Sequence, residues 1–247
     1  MASNPKAAGL GTLVAIRRYP VKSMQAEILD VAELHWTGLH GDRQYAFVRD
    51  ANSSAFPWLT GREVPRLVLH QACYSNAADP TRATLRIIDS AGAEYSIADP
   101  ALTKYLAEAA ATPVRLLRLG RGAFDAMPAS LITTSTGEAV SQAHGRPVDL
   151  ARFRSNLVIR ADDPAATERD WIGCSLAFGD GPNPPVLRLD WPIPRCAMVA
   201  IDPATAGRDA SVLRTVVRSF NTEIGVYCAV QTPGTLRVGD RVRLVAP

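Results

Sequence analysis

From Gly11 to Tyr74 the chain is a succession of short runs rich in β-branched and aromatic residues, cut apart by Gly, Pro, Asn and Asp. The runs are Thr12–Arg17, Ile28–Trp36, Arg43–Arg49 and Leu67–Tyr74. Apolar stretches this short, with turn residues between them, predict strands and exclude a helical bundle. A sheet or barrel follows. Thr84–Asp89 and Glu94–Ile97, joined through Ser90-Ala91-Gly92-Ala93, predict a hairpin, because a Gly-containing loop of that length lets the chain reverse.

Asp99-Pro100 then predicts a helix start, with an N-cap side chain and proline at the first helical position; Leu102, Tyr105, Leu106 and Ala109 recur at helical spacing. The helix should end near Ala111, before Pro113. Strands resume at Val114–Arg118, and a loop through Gly120, Gly122 and Pro128 leads to the apolar run Ser130–Thr134. That run should break at Ser135-Thr136-Gly137 into a short helix, Glu138–His144, closed by Gly145. Further on, Asp209 caps a helix whose Leu213, Val216, Val217 and Phe220 share a face, and Gly225 opens a final strand pair.

These elements give a mainly β protein with short helices (α+β). The expected organisation is a disordered start over 1–10, an N-terminal β-barrel-like domain over 11–112 and a second β-barrel domain over 113–247. With 247 residues, 47% of them hydrophobic, the chain can fill one large or two modest cores. A formal charge of +3 is too small to argue for nucleic acid or a membrane surface, so any anion site must be local. Met1–Ala8 lacks an apolar signal core, and no window approaches the roughly 20 apolar residues of a membrane helix, so the expected setting is the cytoplasm.

Four cysteines, Cys73, Cys174, Cys196 and Cys228, lie far apart with no CxxC pair, which argues against a zinc ribbon or a local dithiol and for free thiols. Cys196 stands out. It follows Arg195 where a Pro-punctuated loop, Trp191-Pro192-Ile193-Pro194, runs towards Ala197–Ile201, which reads as a core strand. A neighbouring cation favours a thiolate, able to bind a soft metal or act as a nucleophile; burial as a small hydrophobe is the other reading of the same residues.

Two further features suit an anion. Lys22, Arg43, Arg62 and Arg66 sit at loop edges of the first unit, with Arg154 in the second, although charged loop residues are often simply solvated. Ser135 and Thr136 at a helix start put hydroxyls beside N–H groups that have no intrahelical partner; a plain N-cap explains them equally well.

Six segments in order carry a family resemblance. They are Tyr19-Pro20-Val21-Lys22-Ser23, Gly38–Arg43, Glu63–Leu69, Phe153-Arg154-Ser155-Asn156, Arg195-Cys196 with Asp202-Pro203, and Gly225–Tyr227 through Pro233–Asp240. Together, from about Thr12 to Leu244, they resemble the MOSC family, named after the C-terminal domain of molybdenum cofactor sulfurase. By domain layout the chain is similar to the amidoxime-reducing branch.

The resemblance implies a pyranopterin molybdenum cofactor (molybdenum-molybdopterin), with Cys196 as catalytic residue and metal ligand. It implies that Lys22, Ser23, Arg43, Arg154 and Asn156 hold the pterin and its phosphate, and that Thr134 and Ser135 give hydroxyl contacts. The family motif reads Phe-Arg-Pro-Asn; Ser155 stands here in place of proline. The implied activity is reduction of N-hydroxylated compounds such as amidoximes, hydroxylamines or N-hydroxylated bases. Electrons would come from a separate protein, a ferredoxin, flavoprotein or cytochrome b5-like partner, since no Cys-rich ferredoxin tail is present. The alternatives are a sulfur carrier using a Cys196 persulfide and a protein that binds or delivers the cofactor.

Overall fold

The computed structural model describes residues 9–50 and 52–245. In chain order the first strands are β1 (Gly9–Arg18), β2 (Glu27–Leu29), β3 (Val31–His35), β4 (Gly38–Leu39), β5 (Tyr45–Arg49), β6 (Gln71–Tyr74), β7 (Leu85–Ile88), β8 (Glu94–Ser96) and β9 (Val114–Arg118). The remainder are β10 (Ala129–Thr133), β11 (Leu157–Ala161), β12 (Ser175–Phe178), β13 (Val186–Pro194), β14 (Glu223–Thr232), β15 (Gly234–Arg237) and β16 (Arg241–Leu244). Three helices join them: α1 (Pro100–Ala110), α2 (Thr134–His144) and α3 (Ala210–Phe220). None is long and apolar enough to cross a membrane.

Seven strands close into a barrel in the order β1-β11-β10-β14-β13-β12-β16, with β16 returning to β1 and β2 attached at the margin. Closure removes the sheet edges that would otherwise template aggregation. The barrel is filled from every strand by residues such as Leu13, Leu131, Ile159, Leu176, Leu189, Val226 and Val242, all fully buried. A second core under α1 joins Val21, Phe47, Leu67, Tyr74, Leu85, Ile87, Leu102 and Leu106. A third, between the barrel wall and α2 and α3, includes Ile132, Val140, Phe153, Val199 and Val216.

The expected mainly β architecture is therefore the one observed, with the hairpin β7–β8 in place and α1 capped as read: the Asp99 side chain accepts from Ala101 N. Four expectations need correction. Gly9 and Leu10, assigned to a disordered start, are already in β1, where they reach β16 and neighbour β11; residues 1–8 lie outside the described residues. The boundary at 112/113 falls ahead of β9, yet β9 pairs with β5 and Val114 belongs to the second core, so this strand goes with the first unit. Conversely β1, from the first unit, is a stave of the C-terminal barrel. Leu67–Tyr74 is a 3-10 turn, Pro65–Leu69, followed by β6, because Pro65 and the bond from Leu67 N to Val64 O bend the chain before it can extend.

The fourth correction concerns Ala197–Ile201. Ala197–Ala200 is a 3-10 turn with Cys196 at its N-cap, and the strand is the proline-rich stretch before it. β13 tolerates Pro192 and Pro194 because its pairing with β14 shifts register at both, and such shifts re-aim a strand end. Val199 and Ile201 are buried all the same.

Candidate functional site

The C-terminal end of β13 delivers Arg195 and Cys196 to a cleft of about 660 Å³ between the barrel and the first unit. Six cations line it, Lys22, Arg43, Arg62, Arg152, Arg154 and Arg195, against one carboxylate, Asp125. Near-neutral overall composition thus hides a strongly positive cavity. Phe56, Trp191, Tyr227 and Met198 supply apolar wall.

Three of the lining residues hold left-handed backbone: Ser23 at φ 68°, Arg43 at 48° and Arg154 at 52°. Non-glycine residues seldom adopt this conformation, and it costs about 1–3 kcal/mol each unless the surroundings impose it. Here they do. Arg43 N donates to Tyr19 O at 2.6 Å, Lys22 N to Tyr45 O at 2.9 Å and Tyr45 N to Pro20 O at 3.1 Å, so segments 19–24 and 43–45 are zipped together. Arg154 closes the 3-10 turn Leu150–Phe153.

Behind the cationic face sits a buried scaffold. The Asp42 carboxylate accepts from Tyr19 N at 2.6 Å, from Asn156 Nδ2 at 3.1 Å and from Arg43 Nη1. Asn156 Oδ1 accepts from Ser130 Oγ at 3.0 Å and from Arg43 Nη1 at 3.3 Å, while Nδ2 also donates to Arg17 O at 3.1 Å. Fully buried and fully engaged, Asn156 orients Arg43 and Asp42 behind the cleft wall. Arg43 Nη2 donates in turn to Arg154 O at 3.0 Å.

The remaining cations differ in how far the protein satisfies them. Lys22 Nζ donates to Ala123 O at 2.6 Å and to Asp125 at 2.8 Å; burial lowers its pKa, with the Asp125 charge opposing. Arg195 donates from Nε to Ile224 O at 2.7 Å and from Nη1 to Phe153 O at 2.8 Å, leaving Nη2 buried and unpartnered. Arg154 stacks on Tyr19, 4.3 Å from the ring centroid, and its Nη2 is also buried without a partner. Burial pulls both guanidinium groups down to about 10, a sign that each is held away from water without a full set of acceptors. Ser155 Oγ, fully buried, is a third unpartnered polar atom beside them.

Cys196 is exposed, so of its two readings the buried one does not hold. Cys228 is the buried thiol, and burial pushes its pKa up; all four cysteines are free. The structure thus gathers Lys22, Ser23, Arg43, Arg154, Asn156 and Cys196 on one cleft.

It does not gather Thr134 and Ser135. The helix starts earlier than expected, at Thr134 with Thr133 as N-cap, and the buried Glu168 carboxylate occupies its start. Glu168 Oε2 accepts from Thr133 N at 2.9 Å, Thr133 Oγ1 at 2.8 Å and Thr136 Oγ1 at 2.6 Å. The cradle is real, but its anion is the protein's own. Thr134 instead lines a separate shallow groove on the outer side of α2, and Ser135 lines neither.

Several site residues went unassigned from sequence. Tyr19, Asp42, Arg195 and Tyr227 lay inside the quoted motifs and Trp191 in the loop ahead of Cys196, whereas Asp125 and Arg152 carry no local signal and are recruited only by the fold.

Two family models match the chain: the MOSC N-terminal beta barrel domain over residues 10–127 and the MOSC domain over residues 121–243. A curated relative, the molybdenum cofactor sulfurase of Anopheles gambiae, is 36% identical over 81 residues, 32% of this chain and 10% of its own length. The match thus spans about a tenth of that relative. Among solved structures, the YuaD protein from Bacillus subtilis aligns over 95% of this chain and 94% of its own at 12% identity and a TM-score of 0.48. YiiM from Geobacillus stearothermophilus aligns over 48% and 54% at 18% identity and a TM-score of 0.37.

Proposed function

The chain belongs to the MOSC family, and from that premise we propose that its cleft holds a pyranopterin molybdenum cofactor with which it reduces N-hydroxylated compounds. The observation that supports this most is the meeting of an exposed thiol, Cys196, with two incompletely satisfied buried guanidinium groups, Arg154 and Arg195, on one wall. Among the described residues no three His, Cys, Asp or Glu side chains gather into a metal site, so a metal here has to bring ligands of its own. A pterin dithiolene does so, and the cationic wall suits the phosphate such a cofactor carries.

Cys196 would be the protein's ligand to molybdenum, its soft sulfur matching the dithiolene set. Arg154, Arg195 and Lys22 would neutralise the anionic cofactor, with Arg43 held in place by Asp42 and Asn156. Ser23 lines the same wall. Trp191 and Tyr227, packed edge to face at 6.1 Å, offer an apolar corner for an organic substrate. The bound cofactor supplies oxygen-atom transfer coupled to two electrons; in net terms an N–OH group takes two electrons and two protons and leaves as N–H and water. A separate electron-transfer protein would deliver the electrons.

Purification from a host that makes the cofactor, followed by metal analysis and an assay on a model amidoxime with a reduced electron donor, tests the proposal. Bound molybdenum with turnover supports it; metal-free protein, when another molybdoenzyme from the same host is loaded, overturns it. A second reading, a sulfur carrier with a persulfide on Cys196, is favoured by the similarity to molybdenum cofactor sulfurase and by the exposure of the thiol. Intact mass showing one extra sulfur on Cys196 in metal-free protein would select it.

A further inference from the structure

Beside the first cleft lies a second, of about 400 Å³, between β1, the turn Leu150–Phe153 and the segment 198–204. Arg152, Arg154 and Met198 line both. Its particular residues are Arg17 and Tyr19. The Arg17 and Arg154 guanidinium groups have no hydrogen bond or ion pair to any described residue; the hydrogen bonds of these residues are made by main-chain atoms, as in Arg17 N to Asn156 O at 2.7 Å and Arg43 Nη2 to Arg154 O at 3.0 Å, while the Arg154 guanidinium stacks on the Tyr19 ring. One terminal nitrogen of each, and the hydroxyl of Tyr19, are shut off from solvent without a partner. Tyr19 is 2% exposed.

The neighbouring acids do not answer these donors. Asp149 accepts from Ala151 N at 2.8 Å, as the cap of its turn, and Asp202 is paired with Arg152 at 2.6 Å. Two buried guanidinium nitrogens and a buried hydroxyl without acceptors are costly, and a multidentate anion can supply acceptors to them. We infer that this second cleft binds a phosphate-class oxyanion, inorganic phosphate or the phosphate of a monoester, through Arg17, Arg154 and Tyr19. The forked guanidinium and the hydroxyl match the several acceptor oxygens of a tetrahedral anion. Because Arg154 is shared, an anion here competes with the occupant of the first cleft for one cation, and the effect is reciprocal.

The inference does not rest on molybdenum, and neither does its test. Inorganic phosphate is titrated calorimetrically into the full chain made without cofactor, at fixed ionic strength, with glycerol phosphate as the monoester arm. Tighter binding of glycerol phosphate assigns the site to a monoester, and equal binding to free phosphate. Arg17→Gln removes no protein hydrogen bond, so the fold persists, and it should weaken phosphate binding roughly ten-fold or more. Tyr19→Phe should weaken it too while keeping the ring under Arg154, and Arg82→Gln, at a surface arginine 90% exposed, should leave it unchanged. The inference is overturned if folded wild type binds no phosphate or if Arg17→Gln binds it as wild type does. Loss in Lys22→Gln as complete as in Arg17→Gln would overturn it as well, by moving the anion to the first cleft.

Discussion

Cys196 and Cys228 show how little of a cysteine's fate lies in its immediate neighbours. Both adjoin apolar residues, yet one stands at the end of β13 in solvent and the other fills the barrel with its thiol pushed up by burial. Iodoacetamide should therefore modify Cys196 in native, cofactor-free protein and Cys228 only after unfolding, a difference that peptide mass mapping resolves. Lys22 gives a pH-dependent prediction. It is a cation below its pKa and neutral above, and burial moves that pKa down from 10.5. Retention of an anionic cofactor should decline with rising pH in a window that begins below the ordinary lysine range, and Lys22→Arg should hold on to higher pH; molybdenum per protein after dialysis across the range measures both. Lys22, Arg43, Arg154 and Cys196 were legible in sequence because ordered motifs carry them. The helix start was read too late in the chain because the cap lies at Thr133 and its partner, Glu168, arrives from a distant turn. No local pattern announces that pairing.

At the scale of elements, Glu168 links three pieces of chain, since its other oxygen accepts from Gly225 N at 2.9 Å. Gly225 in turn has φ 76°, and a Cβ built on it would come within 2.9 Å of Arg195 Nη2 and 3.1 Å of Leu131 O. This stretch of β14 also presents the Ile224 carbonyl to Arg195. Glu168→Ala removes the acceptor of four buried donors, of which the Thr133 and Thr136 hydroxyls, 3.1 Å apart, can satisfy one between them; the three left should cost on the order of 3 kcal/mol or more in denaturant unfolding. Gly225→Ala should lower Tm by several degrees, from roughly 1–2 kcal/mol of backbone strain. It should also displace Arg195 and reduce cofactor loading, which separates it from a purely structural lesion elsewhere. Strands, hairpin and α1 were readable because their periodicity and caps are local. Ala197–Ile201 was not, because its apolar residues are buried under α2 and α3 from a 3-10 turn, and burial alone does not distinguish a turn from a strand.

At the scale of the molecule, sequence order and spatial units part company. The seven-stranded barrel needs β1, which lies between β11 and β16 and supplies Leu13 and Ile16 to the interior. A fragment of residues 113–247 should accordingly fail to form a native barrel, with poor near-UV circular dichroism and rapid proteolysis, whereas co-expression with residues 1–112 should restore both. The same interlocking builds the site, since Lys22 and Arg43 come from one unit and Arg154, Arg195 and Cys196 from the other, so the cleft exists only when the whole chain is folded. The central claim is that Cys196 binds molybdenum in that cleft. X-ray absorption at the molybdenum edge, on wild type and Cys196→Ser purified from a cofactor-making host, tests it most directly. The account predicts one sulfur fewer around the metal in Cys196→Ser; an unchanged sulfur count, or wild type without molybdenum, would contradict it.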